Sequence, residues 1–253
     1  MIINEKIFKK LVTDAWHQEF SGWDFVYLSG RMVQSPTSWD YRQIVLEKIP
    51  TADSLLDLDT GGGEVLSSLQ PLPRHTYATE AYPPNVPVAK ARLEPLGVRV
   101  CETPAGGPLP FDDDSFDLVI NRHGDISAPE IHRILKPGRS FITQQVGGRN
   151  NIRLNEMLQD KVEFRDSNWT LDGAARQLEE AGLKIMDRRE EYPPVEFTDI
   201  GAVVYYLKAI PWQVGDFAPE KYYARLGKIH NIIQEKGKFV SATHRFFIEA
   251  RKE

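Results

Sequence analysis

The sequence predicts an α/β fold in which helices cover a mostly parallel sheet. From residue 53 onward, short apolar runs alternate with stretches of helical periodicity, the pattern of repeated strand–helix units. Residues 55–58 are Leu-Leu-Asp-Leu, as expected for a strand buried on both faces. After two intervening residues, three consecutive glycines follow. A helix starting at Glu64 would point its free N–H groups at this turn, so the unit predicts a nucleotide-like ligand.

Seven segments have the short apolar composition of strands. They are residues 55–58, 75–79, 98–101, 115–120, 140–146, 183–189 and 239–250. Helical periodicity predicts helices over residues 4–20, 40–49, 85–96, 129–135, 151–159 and 170–181, with two further helical stretches between 193 and 237.

The chain contains no repeat, low-complexity tract or linker, so it is predicted to be one domain, 1–253. Residues 1–50 would form a helical and aromatic cap, and 51–192 the ligand-binding core. Residues 193–253 would form a late helical insertion and the last strand.

Composition narrows the functional classes. The formal net charge of −5 disfavours non-specific nucleic-acid binding, and nothing in the sequence specifies an oligomeric state. No apolar run approaches the ~20 residues that span a bilayer, and the first residues lack a secretory signal, so no membrane association is predicted. Cys101 is the only cysteine, which fits a reducing compartment and predicts a cytoplasmic protein.

Several motifs together resemble class I S-adenosylmethionine-dependent methyltransferases. Asp57, Gly61 and Gly63 occupy three positions of the family's first motif, Glu80 ends the second strand, and further motifs lie at 109–119 and 133–138. The resemblance covers roughly residues 53–146. It implies a three-layer α/β/α Rossmann-like methyltransferase fold, with a mostly parallel seven-stranded sheet and an antiparallel last strand. It also implies S-adenosyl-L-methionine as the cofactor.

The resemblance, with the spacing, predicts the cofactor contacts. Glu80 follows the glycine loop by about 20 residues, where a carboxylate accepts from ribose hydroxyls; the alternative is an exposed cap on the next helix. Glu102 is nearest to the family's adenine-binding acid, although an ordinary loop acid is an equal alternative. The predicted cofactor-binding residues are Asp57, Asp59, Thr60, Gly61, Gly63, Glu80, Ala81, Glu102 and Asn121.

Asp59 stands where the family usually has glycine. Its side chain could clash with the cofactor's amino-acid end or repel its carboxylate, but it could also pair with the ammonium group. We expect Asp59 to weaken cofactor binding without abolishing it. A nicotinamide dinucleotide is disfavoured, because Leu66 occupies the position where that fingerprint needs glycine or alanine.

His123 is the candidate catalytic base. It follows the fourth strand, whose carboxyl end should face the transferred methyl group, and imidazole titrates near neutral pH. A base is needed only if the nucleophile is protonated, and a hydrogen-bonded loop histidine is the alternative. The remaining histidines show no zinc-site spacing, so no metal is predicted.

The acceptor is predicted to be a small, partly apolar or planar molecule, because aromatic residues are frequent in the cap and late insertion. Aromatic residues also simply fill cores, so packing is the alternative. RNA is a disfavoured rival, with Arg149, Arg153 and Arg165 as phosphate contacts. A non-catalytic protein with weakened cofactor affinity is the third possibility. The predicted substrate contacts are Trp23, Tyr27, Trp39, Gln145 and Asn150.

Overall fold

The computed structural model describes residues 2–20, 25–104, 106–162 and 166–253. The α-helices are α1 (Glu5–His17), α2 (Tyr41–Lys48), α3 (Glu64–Ser67), α4 (Val86–Leu93), α5 (Ala128–Ile134), α6 (Ile152–Leu158), α7 (Leu171–Glu180), α8 (Ile200–Ala209) and α9 (Tyr223–Lys236). The strands are β1 (Met32–Gln34), β2 (Ser54–Leu58), β3 (His75–Glu80), β4 (Arg99–Glu102), β5 (Phe116–Arg122), β6 (Leu135–Val146), β7 (Leu183–Glu191), β8 (Pro194–Phe197), β9 (Phe239–Ala242) and β10 (Arg245–Lys252).

The chain divides into two compact units. The sheet unit comprises residues 38–146, 169–190 and 246–253, and the helical unit comprises residues 1–37, 147–168 and 191–245. Residues 147–168, placed in the core by the sequence pattern, thus group with the N-terminal and late segments. The assignment of the chain to a single domain stays a prediction.

The sheet unit contains a seven-stranded sheet of order β4-β3-β2-β5-β6-β10-β7. Strands β4, β3, β2, β5 and β6 pair in parallel, and the last strand is antiparallel, which confirms the predicted fold class. The chain moves outward from β2 to β4 and then returns to place β5 on the other side of β2. At such a reversal the loops after β2 and β5 diverge and leave a crevice at their carboxyl ends.

Alternation along the central strands produces the two other layers. Leu55, Leu118 and Ile120 face a cluster that includes residues of α2, α3 and α4, whereas Leu56 and Val119 face a cluster with α5 and α7. Consecutive strand residues point to opposite faces, so a strand apolar on both faces needs helices on both sides. Each such side chain contributes about 1.5–3 kcal/mol by burial.

The helical unit is built around α8, in which all residues except Lys208 are buried. Its apolar side chains pack with α1, α9 and a three-stranded antiparallel sheet of order β1-β8-β9. None of the helices in the described parts of the chain is long and apolar enough to cross a bilayer.

The predicted last strand, 239–250, is wrong as a single element. Thr243 and His244 interrupt it, and the Thr243 amide donates to the carbonyl of Pro193 at 2.8 Å. The first half becomes β9 of the three-stranded sheet and the second half becomes β10 of the large sheet. The short strands β1 and β8 were not predicted, because three or four residues carry too little periodicity.

Replacement of Phe247 by alanine tests the central packing. Its fully buried ring lies on β10 in the cluster with α2–α4, so Phe247→Ala should lower the free energy of unfolding by about 3–5 kcal/mol. Met186, which is 50% exposed on β7, provides the control, and Met186→Ala should change it by less than about 0.5 kcal/mol. Urea denaturation measures both, and equal losses would contradict this description of the core.

Candidate functional site

The glycine loop connects β2 to α3 and is anchored to the end of β3. The Thr60 amide donates to the Thr79 carbonyl at 2.9 Å, and the Asp59 amide donates to the Thr79 hydroxyl at 3.2 Å. Asp59, Gly61 and Gly63 all have left-handed backbones, with φ of 53°, 64° and 79°. The sharp turn expected from the three glycines is therefore present, but the expected helix after it is a single turn, and its dipole is correspondingly small.

The glycines of this loop have different surroundings. A Cβ added at Gly63 would lie 2.7 Å from Cγ of Leu93, so this glycine permits close packing on α4. At Gly61 an added Cβ would meet no described atom within 4 Å. Arg92 of α4 donates to the Gly62 carbonyl and pairs with Glu64, which holds the far side of the loop. The open side, at Gly61, is where a ligand can approach the backbone.

Three carboxylates lie at the carboxyl ends of β2 and β3. Asp57 and Glu80 are each only 4% exposed, and the hydroxyl of Thr60 donates to Asp57 at 2.6 Å. Burial, together with the smaller effect of the charges of Asp59 and Glu80, raises the pKa of Asp57 to about 7 despite the hydrogen bond from Thr60. Burial also raises the pKa of Asp59 to about 6, with the charges of Asp125 and Glu80 adding to the effect. This acidic cluster of Asp57, Asp59 and Glu80 would be stabilised by a cation.

Across the described residues, no group of three or more His, Cys, Asp or Glu side chains has an arrangement that could hold a metal ion. An organic cation that spreads its contacts along the loop suits the cluster better.

Glu80 is held in a fixed orientation at the end of β3. One carboxylate oxygen accepts from the Tyr82 amide at 2.7 Å, so the side chain caps the turn that follows Ala81. Glu102 is paired in register with Glu80 on the neighbouring strand and is exposed. Both residues therefore lie at the sheet edge where the cofactor contacts are predicted, and their ligand roles stay predictions.

Asn121 and Gln145 are bonded to protein groups. The fully buried Asn121 amide donates to the Leu58 carbonyl at 3.1 Å, which links the ends of β5 and β2. Its oxygen accepts from Gln145 at 2.6 Å, and the Gln145 amide also donates to the carbonyl of Gly124 at 3.1 Å. These contacts show how the loop after β5 is supported.

His123 is exposed in that loop, with a left-handed backbone of φ 65°. Its amide donates to the Gln144 carbonyl at 2.9 Å, and its Nε2 lies 3.5 Å from the side-chain nitrogen of Gln144. The buried Trp39 indole donates to the Gln144 side-chain oxygen at 2.8 Å. An indole can only donate, so the NH₂ group of Gln144 must face His123, and Nε2 of His123 must be the acceptor. An unprotonated ring nitrogen is what a general base needs, and here its lone pair is engaged by the Gln144 amide.

The other predicted substrate residues do not all lie in the sheet unit. Tyr27 and Asn150 belong to the helical unit, where Tyr27 lies under Arg31 and against Tyr205. Asn150 donates to the hydroxyl of Tyr206 and to Gln213, both at 3.2 Å. Trp23 lies outside the described residues. Trp39 is 4% exposed, and its indole donates to the Gln144 side chain.

Thr79, Gln144 and Gly124 are part of the site but were missed by the sequence analysis. Thr79 immediately precedes Glu80 in an ordinary strand, and Gln144 lies within the strand segment 140–146 without a distinguishing local pattern. Their importance comes from pairing between strands that are distant in sequence, which leaves no local signal.

The parallel sheet with its reversal at β2 and the glycine loop at that point define a Rossmann-like methyltransferase fold. Residues 56–143 match the family described as "Methyltransferase domain". The matched segment begins within β2 and ends within β6, and it therefore includes the glycine loop, Glu80 and His123.

Solved structures share this fold at low sequence identity. A candidate methyltransferase from Bacillus halodurans C-125 is 20% identical, with a TM-score of 0.61 over 84% of this chain and 98% of that one. A functionally unknown protein from Deinococcus radiodurans R1 is 13% identical, with a TM-score of 0.61 over 98% and 100%. The [4+2]-cyclase SpnF is 15% identical, with a TM-score of 0.53 over 98% and 92%. No curated protein matches the sequence.

The raised pKa of Asp57 predicts a pH-dependent stability. A carboxyl whose pKa is higher in the folded state stabilises the fold at low pH and loses that contribution as pH rises through the folded value, here about 7. Relative to Asp57→Asn, which keeps an acceptor for Thr60, the wild type should lose at least about 1.4 kcal/mol between pH 5.5 and 8, the equivalent of one pKa unit.

Urea denaturation of the ligand-free protein at the two pH values measures this difference. Subtracting the variant cancels the other titrating groups, and Glu94→Gln, an exposed carboxylate change on the surface, should track the wild type. Parallel curves for wild type and Asp57→Asn would contradict the buried acidic cluster.

Proposed function

We propose that the protein transfers a methyl group from S-adenosylmethionine to a small, partly apolar or planar acceptor in the cytoplasm. The observation that carries the proposal is the buried acidic cluster beside the open side of the glycine loop. The negative charge of this cluster supports a cationic cofactor.

The acidic cluster favours a cationic cofactor over a phosphorylated one. S-adenosylmethionine carries a sulfonium and an ammonium group, and both would be attracted by Asp57, Asp59 and Glu80. A dinucleotide would bring its negatively charged pyrophosphate to the same loop, where those charges repel it. The single-turn α3 provides little compensating dipole, and Leu66 closes the position that a dinucleotide fingerprint needs to be small.

Residues at the ends of β2 and β3 would contact different parts of the cofactor. Glu80, held by the Tyr82 amide, would accept hydrogen bonds from the ribose hydroxyls, with Glu102 and Ala81 toward the adenine. Asp57 acts through Thr60, since its bond to that hydroxyl shapes the loop around the amino-acid end. Asn121 would form the floor between β2 and β5.

The bound cofactor supplies an electrophilic methyl group on sulfur. The protein's task is to hold the acceptor atom in line with the breaking carbon–sulfur bond, and this positioning can provide much of the rate. As the new bond to carbon forms, a protonated acceptor must lose its proton. Nε2 of His123, which is unprotonated while it accepts from the Gln144 amide, would give up that hydrogen bond and take the proton.

A small acceptor is preferred over RNA on charge. The net charge is −5, and Arg153, one candidate phosphate contact, already donates to the Val240 carbonyl and lies over Phe239. A measurement of cofactor binding distinguishes the non-catalytic alternative from the proposed enzyme.

Calorimetry with S-adenosylmethionine and S-adenosylhomocysteine tests the cofactor. Both should bind the wild type, and Glu80→Gln should weaken binding at least about tenfold, because charge-assisted hydrogen bonds contribute about 1.5–3 kcal/mol. Glu180→Gln, an exposed carboxylate change on α7, should bind like the wild type. Absence of any binding by the wild type would support the non-catalytic alternative, and binding of a nicotinamide dinucleotide instead would overturn the proposal.

Substitution of the histidine tests the base. With an acceptor in hand, His123→Gln should reduce turnover by about 10²–10⁴ while S-adenosylhomocysteine affinity changes less than about twofold, because the side chain would act on the acceptor's proton alone. Activity that persists in this variant removes His123 from the mechanism.

A further inference from the structure

Three side chains hold the end of β5 and the loop that follows it. These residues, 121–125, are called the His123 loop below. The Asp125 amide donates to a carboxylate oxygen of Asp59 at 3.0 Å, and the Gly124 carbonyl accepts from Gln145 at 3.1 Å. The Asn121 side chain also donates to the Asp125 carbonyl at 3.4 Å. Of these three side chains, only Asp59 comes from the glycine loop.

Asp59 approaches the His123 loop very closely. A Cβ added at Gly124 would lie 2.5 Å from Cβ of Asp59 and 2.7 Å from its carboxylate oxygen Oδ2. Real Cβ atoms do not approach so closely, so this contact requires glycine at position 124. The left-handed backbone of Asp59, whose amide donates to Thr79, directs the side chain toward the loop.

We propose that Asp59 is a positioning residue, whose carboxylate holds the Asp125 amide and thereby sets the place of His123 relative to the glycine loop. The inference rests on the proposed function, since it concerns the base of that reaction. Glycine, which the related motif has at this position, would leave the Asp125 amide without this acceptor. The departure from the motif therefore becomes a direct link between the cofactor loop and the catalytic loop.

Asp59 has two features that are unfavourable for folding. It adds a charge beside Asp57 and Glu80, and its backbone has a conformation that glycine adopts more easily. Both oppose folding, whereas the bond to the Asp125 amide is charge-assisted and favourable. The same charge and bulk are expected to weaken cofactor binding, so the link and the cofactor affinity should respond in opposite directions.

A matched pair of variants separates the two effects. Asp59→Asn keeps a side-chain oxygen for the Asp125 amide and tolerates the left-handed backbone, whereas Asp59→Gly keeps the backbone and removes the acceptor. In Asp59→Gly, NMR should show hydrogen exchange at the Asp125 amide at least about tenfold faster, as expected for loss of about 1.4 kcal/mol of hydrogen bonding. The His123 ring resonances should move as well. Asp59→Asn should restore both to within about twofold.

Calorimetry with S-adenosylhomocysteine completes the experiment. The glycine variant should bind it at least as tightly as the wild type, although its His123 loop is looser. A second variant, Gly124→Ala, keeps Asp59 but pushes the loop away, so its Asp125 amide should also exchange faster. Glu180→Gln, on the exposed surface of α7, is the matched control for loss of a carboxylate elsewhere.

The outcomes separate the inference from the proposed function. Equal Asp125 exchange in wild type and Asp59→Gly would overturn the link, as would an asparagine variant that behaves like the glycine variant. If the wild type fails to bind S-adenosylhomocysteine while the exchange pattern holds, the proposed function falls and the link between the loops stands. If it binds and exchange is unchanged, only the link falls.

Discussion

The pairing of β2 with β5 is the constraint on which the site depends. Leu58 lies opposite Asn121 in the parallel register, and the Asn121 amide donates across this pair to the Leu58 carbonyl. The chain order reverses at this pair, so the glycine loop and the His123 loop both begin there and leave in different directions. A slip of one residue in this register would turn Asn121 to the other face and separate the two loops.

The site combines repulsion between closely placed carboxylates with dense hydrogen bonding. Burial raises the pKa of Asp57 to about 7 and that of Asp59 to about 6, and the charge of Glu80 acts on both, which is costly in the absence of a cation. Around them, backbone and side-chain amides form hydrogen bonds that involve residues of β3, β5 and β6. Such an arrangement keeps its shape while remaining poised to accept positive charge, and it discriminates ligands by charge before any detailed fit.

Much of the secondary structure was predictable from local pattern. Helices at α1, α2, α4, α5, α6 and α7 follow from apolar periodicity, and the strands from short apolar runs. The two halves of residues 239–250 could not be separated, because their alternation is continuous and only the Thr243 bond to Pro193 shows the break. The grouping of residues 147–168 with the helical unit also depends on distant contacts, such as Asn150 with Tyr206 and Gln213.

The sequence by itself determined the fold class, the glycine loop and the order of motifs that resembles the methyltransferase family, because these depend on local composition and spacing along one chain. It also showed that Asp59 departs from the motif. Only the tertiary structure decided what the Asp59 carboxylate contacts and which way the Gln144 amide faces, because the Asp125 amide and the Trp39 indole are far away in sequence. A hydrogen bond across such a separation depends on strand register and burial, and no neighbouring residue encodes it.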